Sequence, residues 1–81
     1  MFIVYVLRSQ STGRSYIGQT SNLERRLQEH QAGDARYTRG RGPWTLVYKE
    51  TYPTRSEAMK REKSLKSGKG REYLKNFLAD Y

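Results

Sequence analysis

The chain has 81 residues, enough for one domain over residues 1–81 with a modest core, burying roughly 60–65% of the surface an unfolded chain of this size exposes. It contains no cysteine, which excludes disulfides and thiolate metal sites, and no apolar run near the roughly 18 residues of a membrane span. Lys and Arg number 16 against 8 Asp and Glu, for a net charge of +8, an excess that favours a polyanion such as nucleic acid as partner. An anionic membrane surface fits less well, because the basic residues are spread along the chain and not gathered on one amphipathic helix.

Phe2-Ile3-Val4-Tyr5-Val6-Leu7 is an unbroken run of β-branched, aromatic and aliphatic residues, which predicts a strand covered on both faces. Alternation puts Tyr5 on one face with Ile3 and Leu7. Ser9 to Arg14, with Gly13 near its end, has turn composition. Ser15 to Gly18 is a second short strand, so residues 2–18 predict an antiparallel hairpin of open register, with Tyr16 and Gly18 sharing a face. Ser21, followed three residues on by Glu24, reads as the capping box of a first helix, and Gly33 as its stop. Leu23, Leu27 and His30 fall along one stripe with Arg26 at its edge. That helix is expected to pack through its leucines and to hold Arg26 and His30 where packed surface meets solvent.

The next stretch carries Arg36, Arg39 and Arg41 with Tyr37 and Gly40 among them, a composition that suits phosphate contact and base stacking and equally suits a solvated loop. Trp44 to Tyr48, extending toward Tyr52, is a third strand between Pro43 and Pro53. Thr54 with Glu57 opens a second helix whose inward face is set by Ala58 and Leu65. Glu62 falls between them. A carboxylate on a buried stripe is costly unless it is paired, neutral or metal-bound, and a salt bridge to one of the many Lys or Arg residues would explain it if it stood alone. Ser67 to Gly70 reads as a break without the spacing of a phosphate loop. Arg71 to Tyr81 is then a last helix with Tyr73, Leu74, Phe77 and Leu78 inward. The order β-β-α-β-α-α makes an α+β domain, a small three-stranded sheet flanked by helices.

Hydrolysis of a phosphodiester needs activated water, positive charge beside the phosphate and usually a divalent ion. Tyr5 and Tyr16 on adjacent strands bring two phenols together over helix one, and Arg26 offers a planar fork to phosphate oxygens. Glu62 is the acidic residue placed to hold one Mg2+ or Mn2+, with waters and substrate phosphate completing the shell. One histidine and no cysteine argue against zinc. The partners of a serine or cysteine nucleophile and a paired-carboxylate glycosidase site are not visible.

Tyr5, then Tyr16-Ile17-Gly18 eleven residues later, then Asn22-Leu23, Arg26, His30 and finally Glu62 resemble the GIY-YIG nuclease superfamily, and within it the small UPF0213 or YhbQ-like branch. The first motif reads Ile3-Val4-Tyr5, without its glycine, and Gln19 stands where some DNA-repair members carry lysine. The resemblance implies a three-stranded antiparallel sheet flanked by helices. It also implies that Tyr5, Tyr16 and Arg26 serve water activation and phosphate stabilisation, that Glu62 holds the divalent metal, that Gly18 permits close approach, and that His30 assists proton transfer. The expectation is a metal-dependent nuclease, DNA favoured, of low or structure-dependent specificity. Arg25, Arg36, Tyr37, Arg39, Arg41 and Lys66 are the candidates for nucleic-acid contact. The second reading is a binding module of the same fold that does not turn over or that acts with a protein partner. Phe2 to Leu7 lacks the features of a signal peptide, so a cytoplasmic location is expected.

Overall fold

The computed structural model describes residues 1–32 and 42–77. In chain order the elements are β1 (Phe2–Ser9), β2 (Ser15–Thr20), α1 (Leu23–Ala32), β3 (Trp44–Tyr52), α2 (Arg55–Lys66) and α3 (Gly68–Phe77). β1 is the central strand of an antiparallel sheet of order β2-β1-β3. This is the expected α+β architecture, and β3 does run on to Tyr52. No helix among the described residues is long and apolar enough to cross a membrane.

The central place of β1 accounts for its unbroken apolar composition. Its even residues Val4 and Val6 join Ala58 and Leu65 of α2 and Leu74 of α3 in one buried cluster. Its odd residues Tyr5 and Leu7 join Trp44, with Tyr16, Leu23 and Leu27 packed on the other side. A strand buried on both faces cannot alternate apolar and polar, and each such side chain contributes roughly 1.5–3 kcal/mol by leaving water. A β-bulge opposite Val6 and Leu7 shifts the pairing with β3, so that Leu7 meets Leu46. One extra residue in a strand flips the faces beyond it, which is how Leu46 comes to pack beside Tyr5 and Leu7.

Two helix starts follow from capping, one not at the expected residue. Thr54 caps α2, its Oγ1 accepting from the Glu57 backbone N–H at 3.2 Å. The cap of α1 is Asn22, whose Oδ1 accepts from the Arg25 N–H at 3.1 Å, and not Ser21. Thr20 decides this, because its Oγ1 accepts from the Asn22 N–H at 3.1 Å and turns the chain one residue later than a Ser21 cap requires. At the far end of α1, Gln31 grips both backbone groups of Trp44. Its Oε1 accepts from the Trp44 N–H at 2.9 Å, and its Nε2 donates to the Trp44 carbonyl. The expected stop at Gly33 lies outside the described residues.

The last helix departs from expectation. It begins at Gly68 instead of Arg71, so the break shrinks to Ser67. Gly70 is not a helix stop but a contact point: a Cβ there would lie 2.3 Å from the Ser64 carbonyl oxygen and 2.4 Å from Leu65 Cα. The glycine lets α3 press directly on the backbone of α2. Leu74 is buried as expected, whereas Tyr73 is 40% exposed, its hydroxyl 3.0 Å from that of Tyr48. The Phe77 side chain and Leu78 onward lie outside the described residues. Gly70→Ala should therefore cost about 1–3 kcal/mol, the usual penalty for forcing atoms into a close-packed contact, read as a lower urea midpoint. An unchanged midpoint would contradict this packing.

Candidate active site

The hairpin register places Tyr5 directly across from Gly18 and Leu7 across from Tyr16. Residues paired across antiparallel strands share a face, so both phenols project toward α1. Their ring centroids are 6.2 Å apart. Gly18 makes room for the first phenol, since a Cβ there would sit 2.7 Å from the Tyr5 hydroxyl oxygen and 3.0 Å from the Tyr16 ring. From α1, His30 enters between them, with its ring centroid 4.8 Å from that of Tyr16 and 5.9 Å from that of Tyr5. Its Nε2 is 3.0 Å from the Tyr5 hydroxyl oxygen.

His30 is buried, at 1% exposure, and does not stand at the solvent boundary as its position on the stripe suggests. Its ring fills the space over the two tyrosines that a third leucine would otherwise take. Burial, and then the charge of Arg26, push its imidazole below the ordinary value, so the neutral form is favoured. Tyr5 has no exposed surface at all. Burial outweighs the opposing hydrogen bond from Arg26 and raises its phenol to about 12. Hydrogen bonding with Tyr5 first, and with Tyr16 in addition, holds the Arg26 guanidinium well above its ordinary range despite partial burial. The Tyr5 hydroxyl and His30 Nε2 share one hydrogen bond, in which the donor depends on the imidazole tautomer. Glu29 takes a further Arg26 donor, Nη1 to Oε1 at 3.4 Å.

Glu62 does not lie on the fully buried stripe. Its side chain is 23% exposed and pairs with Lys66, Nζ to Oε2 at 2.8 Å, one turn along α2. Its carboxylate is nonetheless near enough for its charge to act on the Tyr5 phenol. Tyr5, Tyr16, Arg26 and His30 thus form one cluster above Gly18, with Glu62 approaching from the opposite side of the sheet. Arg25 is exposed beside this cluster. Arg36, Tyr37, Arg39 and Arg41 lie outside the described residues.

A second polar cluster escaped the sequence reading. Glu50 of β3 accepts from Arg61 through both carboxylate oxygens, Nε to Oε1 at 2.9 Å and Nη2 to Oε2 at 3.1 Å, and also from the hydroxyls of Tyr48 and Tyr52. Burial works against the Glu50 charge, but Arg61 and the two phenols prevail and hold the carboxyl below its ordinary value. The signal was the alternation Tyr48, Glu50, Tyr52, which puts an acid among aromatics on one inward face.

The fold and this cluster define a GIY-YIG catalytic domain: the model of that family matches residues 1–75, and the chain belongs to it. GIY-YIG domains form a family of nucleases. Its relatives narrow the placement to the UPF0213 proteins. The UPF0213 protein of Halobacterium salinarum is 49% identical over 67 residues, covering 82% of this chain and 86% of its own. That of Oceanobacillus iheyensis is 47% identical over 64 residues, 78% and 73% of the two chains. The solution structure of the UPF0213 protein BH0048 from Bacillus halodurans superposes with a TM-score of 0.58 at 38% identity, covering 96% of this chain and 86% of that one.

Two outcomes follow from the geometry. Gly18→Ala has to displace the Tyr5 hydroxyl, and a loss of about 1–3 kcal/mol is expected in chemical denaturation; a variant as stable as the parent would contradict the close approach. His30 is depressed in the folded state, so below its ordinary 6.5 the unfolded chain takes up a proton that the fold resists. Stability is therefore complete above that pH and falls as pH drops below it. Glu50, also depressed, adds its loss only below its ordinary 4.5. His30→Gln should flatten the upper of these two windows and spare the lower. The check is denaturation midpoints from pH 7.5 down to pH 3, and an unaltered upper window would refute the assignment to His30.

Proposed function

We propose that this chain is a divalent-metal-dependent nuclease that hydrolyses phosphodiester bonds, with DNA as the favoured substrate and low or structure-dependent specificity. The observation that carries the reading is the packing of Tyr5, Tyr16 and His30 together over Gly18, with the Tyr5 hydroxyl 3.0 Å from His30 Nε2 and Arg26 one turn earlier on α1. On this reading Arg26 is the phosphate-binding fork, the phenols orient water, and Glu62 is the carboxylate that would hold the metal. Family membership supports it, since GIY-YIG nucleases generally use divalent ions.

The donor set agrees with a hard ion. Among the described residues no group of three or more His, Cys, Asp or Glu side chains could enclose a metal, and Glu62 is the carboxylate whose charge acts on the Tyr5 phenol. Zinc wants a fuller set of nitrogen or sulfur ligands, whereas Mg2+ keeps several waters and takes one or two carboxylates with substrate phosphate. Glu62 would hold the ion, and in doing so exchange its present partner Lys66. When bound, the ion supplies Lewis acidity at the phosphate and charge to steady the departing oxygen.

The chain's own residues divide the remaining work by their exposure. Arg26 is partly exposed and can turn its free N–H donors to the phosphate oxygens, stabilising the charge that builds there. Tyr5 is sealed from water and strongly disposed to keep its proton at neutral pH, which suits a positioning group better than a base. It fixes Arg26 on one side and His30 on the other. Tyr16, partly exposed at the same site, is the phenol able to meet the attacking water. Neutral His30 provides the lone pair behind Tyr5 to which a proton can pass.

Glu62→Ala and Arg26→Lys should each lower Mg2+-dependent cleavage of plasmid, single-stranded or branched DNA by roughly 100-fold or more, as loss of a transition-state charge contact does. Cleavage by Glu62→Ala at the parental rate would show that the activity is not this site's. The pairing of Glu62 with Lys66 favours a second reading, a binding module without turnover. In that case the parent binds DNA in a salt-sensitive way and cuts none of these substrates with either metal.

A further inference from the structure

A groove of about 830 Å3 opens along the outer edge of the sheet, between β2 and the junction of α2 with α3. Arg14, Tyr16 and Ile17 line it from the hairpin, Lys66 from the end of α2, and Arg71 and Lys75 from one face of α3. Glu72 is the acid in the lining, so four cations stand against one carboxylate. All four cations are exposed. Two residues join the groove to the candidate site: Tyr16 is one of its phenols, and Lys66 is the ion-pair partner of Glu62.

The distribution of chemistry inside the groove discriminates among nucleic acids. Its charge lies on long, exposed side chains, and the partly buried residues Tyr16 and Ile17 of the sheet edge complete the lining between them. A duplex presents phosphates outward and keeps its bases stacked inside, leaving those two side chains without a partner. An unpaired strand has both kinds of group to offer, with phosphates for the cations and base faces for the aromatic and aliphatic surface. We propose that this groove receives a single-stranded nucleic-acid segment leading away from the phosphodiester at the candidate site. This rests on the nucleolytic reading and sharpens it: the substrate carries a flap, an overhang or a gap beside the bond to be cut, and the unpaired strand lies along Arg14, Lys66, Arg71 and Lys75.

The test measures binding apart from cutting, in EDTA, by fluorescence anisotropy of a labelled single strand and of the same sequence as a blunt duplex over a range of salt. The parent is expected to prefer the single strand. Neutralising the two groove cations of α3 (Arg71→Gln with Lys75→Gln) should weaken single-strand binding about tenfold and reduce the slope of log K against log salt by about 1.4, at about 0.7 per lost phosphate contact. The matched control (Lys60→Gln with Lys63→Gln) removes the same charge from α2 outside the groove lining and should change affinity by less than about twofold. Equal losses in the two double variants, or tighter binding of the duplex, would overturn the groove assignment. Cleavage assays on the same proteins separate the two readings. If cutting depends on Glu62 but the contrast between double variants is missing, only the groove falls. If the contrast holds and no DNA is cut, the groove stands and the nuclease reading falls.

Discussion

A phenol with no exposed surface must find hydrogen-bond partners inside the protein, and the burial of Tyr5 sets much of the surrounding arrangement. Its hydroxyl shares a hydrogen bond with His30 Nε2 and feels the charge of Arg26. Those partners sit one turn apart on α1, so satisfying Tyr5 fixes both the rotation of that helix and its height above the sheet. The same phenol needs space, which only a residue without a side chain can leave at the paired position on β2. A strand register, a glycine, an arginine and a histidine thus answer to one hydroxyl group. Because the two leucines of α1 are only partly buried, the polar contacts carry an unusual share of the positional information for this helix.

On the opposite face the sheet holds α2 by a different device. Glu50 binds Arg61 by a two-pronged contact in which both groups are charged, the strongest geometry such a pair has. The Arg61 guanidinium also lies 4.9 Å from the centre of the Tyr73 ring, joining α3 to the same knot. Arg61 and Glu62 are neighbours in sequence and point to different parts of the sheet. The tie to β3 thereby limits how far α2 can roll, and with it where Glu62 meets the edge of the phenol cluster. The two polar clusters are built from the same residue types, tyrosine, arginine and one acid or imidazole. They differ in closure: one centres on a carboxylate with three partners, and the other holds a partly exposed guanidinium paired with Glu29.

Much of this was legible in the residues before any coordinates. The apolar run 2–7, the stripe Leu23-Leu27-His30 and the Thr54–Glu57 start each carry a period or a cap that admits one reading, and each element formed there. What was not legible depends on distances between elements. The hairpin turn is longer than two residues, so its length does not set the register, and whether Tyr5 or a neighbour lies over Gly18 is decided only by packing. His30 looked like a boundary residue because a histidine on a leucine stripe suits either a wet edge or a filled core; the two tyrosines beneath it select the second. Gly70 was read as a break because glycine both ends helices and permits backbones to touch, and only the position of α2 separates these. Glu50 passed as an ordinary strand residue because its partner Arg61 is eleven positions away on a different element.

The grip of Gln31 on Trp44 has a consequence for the placement of His30. One side chain fastens the last turn of α1 to the first residue of β3, across the whole connection between them. The helix is anchored at that end independently of whatever chain runs from one element to the other. His30 is the residue immediately before that clamp, so the fastening bears directly on its position. The clamp, and not the length of the connection, therefore sets the distance between the end of α1 and the start of β3, and with it the place of the imidazole against the phenols.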